Sequence, residues 1–168
     1  MTFLRPPERE RPNSPPASYG VPRTGGEMVD WSHVVDRLAK ASSYWLATIG
    51  SAGRPHVVPI WGVFVEGELY LETGDPNTAK NRNLRHNREV AVHLDGDTDA
   101  VIIFGTAEPF VPDAHLGGLI AAAMAGKYSG YEPEPDSWDE GGLYRIAPRT
   151  VFAWSEMPTA TRWRFDAA

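Results

Sequence analysis

Between Tyr44 and Thr73 the chain contains three strand-like runs cut by two tight turns. Tyr44-Trp45-Leu46-Ala47-Thr48-Ile49 is aromatic and β-branched, and it stops at Gly50-Ser51-Ala52-Gly53. Arg54 to Val65 resumes the pattern, and Glu66-Gly67 turns it into Leu69–Thr73. Short Gly-bearing turns between such runs set neighbouring strands antiparallel, so this stretch is expected to form a meander. A meander cannot end with exposed edges at no cost, and closure into a barrel removes them.

The rest of the chain supplies strands for that closure. Val90–Leu94 and Ala100–Ala107 read as strands around the polar turn Asp95–Asp99, and Leu143–Ile146 and Thr150–Ser155 as final strands with a break at Pro148. Three helices interrupt them. Trp31, Val34, Val35, Leu38 and Ala41 recur at helical spacing after Asp30, whose carboxylate is placed to cap the free N–H groups. A second helix runs from Asn77 or Thr78 to about Asn87. A third runs from Pro112 to about Lys127, with Leu116, Leu119, Ile120 and Met124 as its apolar stripe. The fold class expected is mainly β, an antiparallel barrel with a few peripheral helices. Residues 1–26 hold Pro6, Pro7, Pro12, Pro15, Pro16 and Pro22 with few apolar residues between them. They read as a flexible arm, or one that wraps a partner subunit, ahead of a single domain at 27–168.

Composition removes several functions. The formal net charge is −6, whereas nucleic-acid binding through the overall field calls for a basic surface. Arg82, Arg85 and Arg88 repeat every three residues, but such a stripe on an acidic chain reads as a solvated helix face. No nucleic-acid partner is expected. The absence of cysteine excludes thiolate chemistry and cysteine metal sites. His33, His56, His86, His93 and His115 show no helical metal-ligand spacing, so no metal is expected. No apolar run reaches the length of a signal peptide core or a membrane span; a soluble cytoplasmic protein is expected.

Two stretches can carry chemistry. At Leu69–Leu84 a strand ends in Thr73, a turn follows, and Thr78-Ala79-Lys80-Asn81-Arg82-Asn83 opens a helix. Free N–H groups and the dipole at a helix start favour an anion, and Thr73, Thr78, Lys80 and Asn83 can add donors. The same residues also fit an ordinary solvated helix. The second stretch is His56-Val57-Val58-Pro59-Ile60-Trp61-Gly62. Proline inside a strand belongs at an edge or bulge, where backbone is free for a ligand, and Gly62 permits close approach. Six tryptophans are enough to build a core and also wall a flat ligand.

The run "WLATIGSAGRPHVVPIWGVFVEGELYLETG", followed by "TAKNRNLRHNREVAVHL", resembles the pyridoxamine-phosphate-oxidase-like family of split β-barrel flavoproteins. The ending "TATRWRF" resembles the branch linked to the deazaflavin coenzyme F-420. The resemblance implies a homodimeric split barrel with cofactors in grooves between subunits. It implies that Lys80 binds the cofactor phosphate with Thr73, Thr78, Asn81 and Asn83. His56, Val58, Pro59, Ile60 and Trp61 would line the ring, and Trp154 would cover the ring or substrate, from the other subunit. The vitamin-B6 oxidases carry an Arg and a Lys on the strand matching Val58 to Val63; here those positions are apolar or Gly. That departure argues against pyridoxine-phosphate oxidation and favours F-420 over flavin mononucleotide (FMN). The function implied is hydride transfer from reduced F-420 to an unsaturated small organic acceptor. An FMN oxidoreductase, or a non-catalytic flavin or haem carrier, is the alternative. Tyr128, Tyr131 and His56 are the candidate proton donors.

Overall fold

The computed structural model describes residues 8–13, 17–96 and 98–165. Eight strands and three helices follow one another: β1 (Arg9–Glu10), α1 (Trp31–Lys40), β2 (Tyr44–Ile49), β3 (Pro55–Val65), β4 (Glu68–Glu72), α2 (Ala79–His86), β5 (Glu89–His93), β6 (Ala100–Pro109), α3 (Ala114–Lys127), β7 (Leu143–Trp154) and β8 (Thr161–Arg164). All pairings are antiparallel, and the order β7-β4-β3-β2-β5-β6 closes through a β6–β7 ladder into a six-stranded barrel. β8 and then β1 extend the sheet outward from β7.

Alternation does the packing. Tyr44, Leu46, Ile60, Leu69, Leu71, Val92, Ile103, Ile146 and Val151 point inward and are buried. A second apolar cluster lies outside the barrel wall, where Ile120, Ala121 and Met124 of α3 cover Val63 and Tyr70. Leu119, expected in the α3 stripe, is exposed instead. Small residues at Gly117 and Ala121 bring the helix close on a neighbouring face, and Gly117 has no room for a Cβ against the Pro135 carbonyl. Among the described residues no helix is long and apolar enough to cross a membrane.

Three local features depart from the sequence expectation. Pro148 does not break the chain into two strands: β7 is continuous over 12 residues. The β6–β7 register shifts between Phe104 and Gly105, so that Gly105 faces Pro148 and Phe104 faces Thr150. A bulge next to a glycine absorbs the missing donor. Asp30 holds the N-cap position of α1 but makes no side-chain cap hydrogen bond; its carboxylate instead pairs with Arg9. The N-terminal residues have partners in the body of the chain. Glu10 accepts from Arg162 at 2.8 Å and pairs with Arg164 at 3.0 Å, and Arg11 donates to the carbonyls of Gly25, Glu27, Pro158 and Ala160. Residues 1–7 and 14–16 of the expected arm lie outside the described residues.

Gly62 is fixed by sterics. A Cβ there would come within 2.5 Å of the Tyr70 carbonyl oxygen and 2.6 Å of Leu71 Cδ2. Gly62→Ala is expected to lower the unfolding free energy by about 1–3 kcal/mol, read as a shift in the urea midpoint at constant m-value.

Candidate functional site

Strand β3 has a neighbour on only one side at a time. Pro55 to Ile60 pair with β2, and Trp61 to Val65 pair with β4. The change of partner leaves two open half-edges. The upper one is filled: the Gly62 N–H donates to the Tyr128 hydroxyl at 2.9 Å, and the Gly62 carbonyl accepts from Lys127 Nζ at 2.7 Å and from Tyr128 Oη at 3.0 Å. Side chains from the end of α3 thus take the place of a strand. The lower half-edge, on the β4 side of Pro55–Ile60, receives no such group in the described hydrogen bonds. Alternate residues of a strand direct their N–H and C=O to opposite edges, so half of this backbone faces the opening. Pro59, opposite Trp45, sits on this edge as its missing N–H requires.

Helix α2 stands at the same end of the barrel, and its residues divide into two roles. Asn81 is buried, and its Nδ2 lies within hydrogen-bond distance of the carbonyls of Thr73 (3.2 Å), Gly74 (3.3 Å) and Asp75 (2.7 Å). Thr73 is buried as well, and both its N–H and its hydroxyl donate to the Gly142 carbonyl. The Thr78 hydroxyl donates to the Asp75 carbonyl at 3.0 Å. These three residues bolt the β4–α2 turn together, and their hydrogen-bonding capacity is largely spent there. Asn83 reaches the other way, donating to Thr48 Oγ1 at 3.0 Å beside His56, the β3 partner of Thr48. Lys80 is half-buried; its Nζ touches Thr78 Oγ1 at 3.5 Å, and no carboxylate pairs with it among the described residues.

The β3 side chains alternate across the wall. Ile60 is buried in the core, and its N–H and C=O, opposite in direction to those of Pro59, turn toward β2. Val57 and Trp61 point outward, at 49% and 47% exposure. One face of the Trp61 indole stacks on Tyr128, with centroids 4.5 Å apart and planes 11° from parallel, and Tyr131 tilts against it at 5.3 Å. Trp61 is therefore a rigid flat wall. His56 is half-buried, and its Nδ1 is buried with no hydrogen-bond partner. Trp154 lies opposite Ala100 at the end of β7 and makes no described contact with these α2 residues.

The two tyrosines have their protons committed, Tyr128 to the Gly62 carbonyl and Tyr131 to Glu72 Oε1 at 2.5 Å. Burial holds both phenols above their ordinary range, and the Glu72 carboxylate raises Tyr131 further. Glu72, which faces Trp61 across the β3–β4 ladder, and Lys127 were not marked by any sequence pattern. A lysine closing a helix reads as a dipole partner, and nothing local tells that its ammonium turns inward.

Closure of six strands, with β7 shared between β4 at Leu143–Ile146 and β8 at Thr150–Ala153, makes this a split β-barrel. The family model described as pyridoxamine 5'-phosphate oxidase matches residues 31–155, most of the chain, and the chain belongs to that family. No curated protein sequence matches it. Among solved structures, a conserved hypothetical protein of Mycobacterium tuberculosis is 25% identical with a TM-score of 0.64, over 81% of this chain and 90% of that one. A haem storage protein of Vibrio cholerae, at 17% identity and a TM-score of 0.57, shares 73% of this chain and 92% of its own. A structure described as an F-420 reductase shares 24% identity and a TM-score of 0.54, over 69% of this chain and 93% of that one. The last two likenesses show the fold.

The division of α2 has a direct test. Asn81→Ala is expected to cost about 1–3 kcal/mol of stability in the absence of any ligand, whereas Lys80→Ala stays within about 0.5 kcal/mol. Urea unfolding of the two variants beside the parent measures both.

Proposed function

We propose that this protein is an oxidoreductase that holds the deazaflavin coenzyme F-420 between α2 and the open lower edge of β3. A second copy of the chain completes the groove, and hydride passes from the reduced coenzyme to a small unsaturated acceptor. The observation that carries the reading is the unpaired half-edge of Pro55–Ile60 beside a lysine without a carboxylate.

The residues fit such a group. Lys80 and the free N–H groups at the start of α2 would hold its phosphate, with Thr78 and Asn83 at the margin. Backbone groups of Val57 and Pro59 would meet the polar rim of the ring, and Trp61, backed by Tyr128, would form a wall; Val58 and Ile60, expected to line the ring through their backbone, turn those groups toward β2. Asn81 and Thr73 would position α2 without touching the coenzyme. When bound, the coenzyme supplies the hydride chemistry, and the protein supplies orientation and a dry surface. His56 is the side chain of this group whose ring nitrogen has no partner; it would hold the proton that the acceptor takes up. A cytoplasmic setting and a small-molecule acceptor belong to the same proposal.

The second copy is supported by the outer face of the barrel. Ile49, Val57, Trp61 and Phe104 are all more than a third exposed on the outside of β2, β3 and β6, and Trp45, Ala47, Ala91, Ile102, Phe152 and Trp154 occupy outward positions in the same registers. A contiguous apolar surface of this kind marks an interface. Burying it against its twin would bring Trp154 of one copy toward the groove of the other.

Titration of the purified protein with F-420, FMN and haemin tests the cofactor. Quenching of coenzyme fluorescence with a micromolar Kd for F-420 is expected, and Lys80→Ala is expected to raise that Kd about tenfold. Tight binding of FMN or haemin with none of F-420 overturns the choice of cofactor. For the assembly, Phe104→Glu is expected to turn a dimer into a monomer in light scattering behind size exclusion.

A further inference from the structure

The chain has three lysines, Lys40, Lys80 and Lys127. Lys127 closes α3 and turns its ammonium inward. The ammonium donates to the Gly62 carbonyl at 2.7 Å and the Tyr44 hydroxyl at 3.2 Å, and it lies over the Tyr44 ring at 4.4 Å and the Tyr128 ring at 5.3 Å. All of these partners are neutral: burial holds the Tyr44 and Tyr128 phenols protonated. Among the described residues Lys127 forms no ion pair; Lys40 has only an exposed contact with Asp36 at 3.8 Å. A half-buried charge without a counter-charge is costly. Burial accordingly lowers the Lys127 pKa to about 8.

A cavity of about 470 Å³ opens beside this ammonium. Lys40 and Ser42 line it from the end of α1, Val63 from β3, and Ala123, Gly126 and Lys127 from α3. No aspartate or glutamate lines it. Gly126 leaves the α3 wall open, since a Cβ there would meet nothing within 4 Å. The carbonyl ends of α1 and α3 offer only partial negative charge near the two lysines. The cavity thus combines the Lys127 ammonium, the exposed Lys40 at its rim, a serine and apolar walls, with no acid among its lining residues. Its volume lies in the range of small-molecule sites and exceeds what an inorganic ion fills.

We propose that this cavity is a binding site for a compact organic oxyanion, whose negative charge rests between Lys127 and Lys40 while its carbon skeleton packs on Val63 and Ala123. The site lies on the α3 side of β3, apart from the α2 groove, and does not depend on which cofactor that groove takes.

Citrate and inorganic phosphate are the probes, added at constant ionic strength with sodium chloride as the control, to protein labelled with 13C-lysine. An anion beside an ammonium favours its charged form. Citrate is therefore expected to shift the Lys127 Cε resonance and to move its titration upward by about one pH unit, with phosphate weaker and chloride without effect. Lys127→Met is expected to weaken citrate at least about tenfold, and Lys40→Gln by a smaller factor. Should Lys127→Met fail to fold, Lys127→Arg retains the charge and is expected to keep citrate binding, while Lys40→Gln still weakens it. The proposal is overturned if the Lys127 resonance is unmoved by citrate at ~10 mM, if chloride moves it equally, or if the charge-removing variants that fold bind citrate like the parent.

Discussion

The architecture depends on strand β3 exchanging one neighbour for the other midway. Its eleven residues run from Pro55 to Val65, and the ladder passes from β2 to β4 between Ile60 and Trp61. A strand buried in a closed barrel normally satisfies both edges along its length. Here each half leaves one edge open, and the chain treats the halves differently. The upper half is closed by Lys127 and Tyr128, which bond both polar groups of Gly62. The lower half faces α2 with no substitute strand. Because the upper closure also stacks Tyr128 under Trp61, the device that completes the barrel makes the flat wall at the end of the open edge.

Much of this was legible in local chemistry. The three-run meander fixed β2, β3 and β4 nearly to the residue, because their turns are made by glycines and their strands by aromatic and branched side chains. Pro59 foretold the open edge through its missing donor, and Gly62 foretold close approach, although what approaches is the Tyr70 carbonyl and Leu71 rather than a ligand. What failed was direction. Thr73, Asn81 and Lys80 look alike as donors near a helix start. The first two turn inward to hold the turn, and only the fold tells which. Asp30 was a sound cap locally, and Arg9, 21 residues away in sequence, diverted its carboxylate. Pro148 was a sound strand break locally, but a bulge in β7, with Arg149 as the extra residue beside Gly105, let the ladder continue. In each case a contact distant in sequence outbid a short-range preference.

The immobility of α2 matters as much as its charge. A phosphate site made of a free helix end would lose affinity to the entropy of ordering it. Asn81 and Thr73 prepay that ordering with hydrogen bonds to the backbone of the β4–α2 turn and to Gly142, while Asn83 ties the helix to β2 through Thr48. Lys80 is then presented from a fixed base while its own ammonium stays largely uncommitted. On the proposed reading, residues that never touch the coenzyme would in this way set its affinity, Asn81 foremost among them.

Charge is allotted with the same economy. The chain carries 22 acidic and 16 basic side chains, so carboxylates are not scarce. Yet in the ion pairs with a buried or half-buried member they go to arginine or histidine: Glu108 to Arg145, Glu10 to Arg162, Asp99 to Arg37 and His33. Arginine's planar fork suits a fixed carboxylate, and its low hydration cost suits burial. The lysines at the two ends of β3 receive none. Lys80 touches the Thr78 hydroxyl, and Lys127 at the upper closure meets the Gly62 carbonyl and the Tyr44 hydroxyl, all of them neutral groups. In an acidic protein an unpaired half-buried ammonium is maintained against ready alternatives. At the upper end the Lys127 ammonium is spent in part on the Gly62 carbonyl, which completes the edge of β3 that β2 leaves.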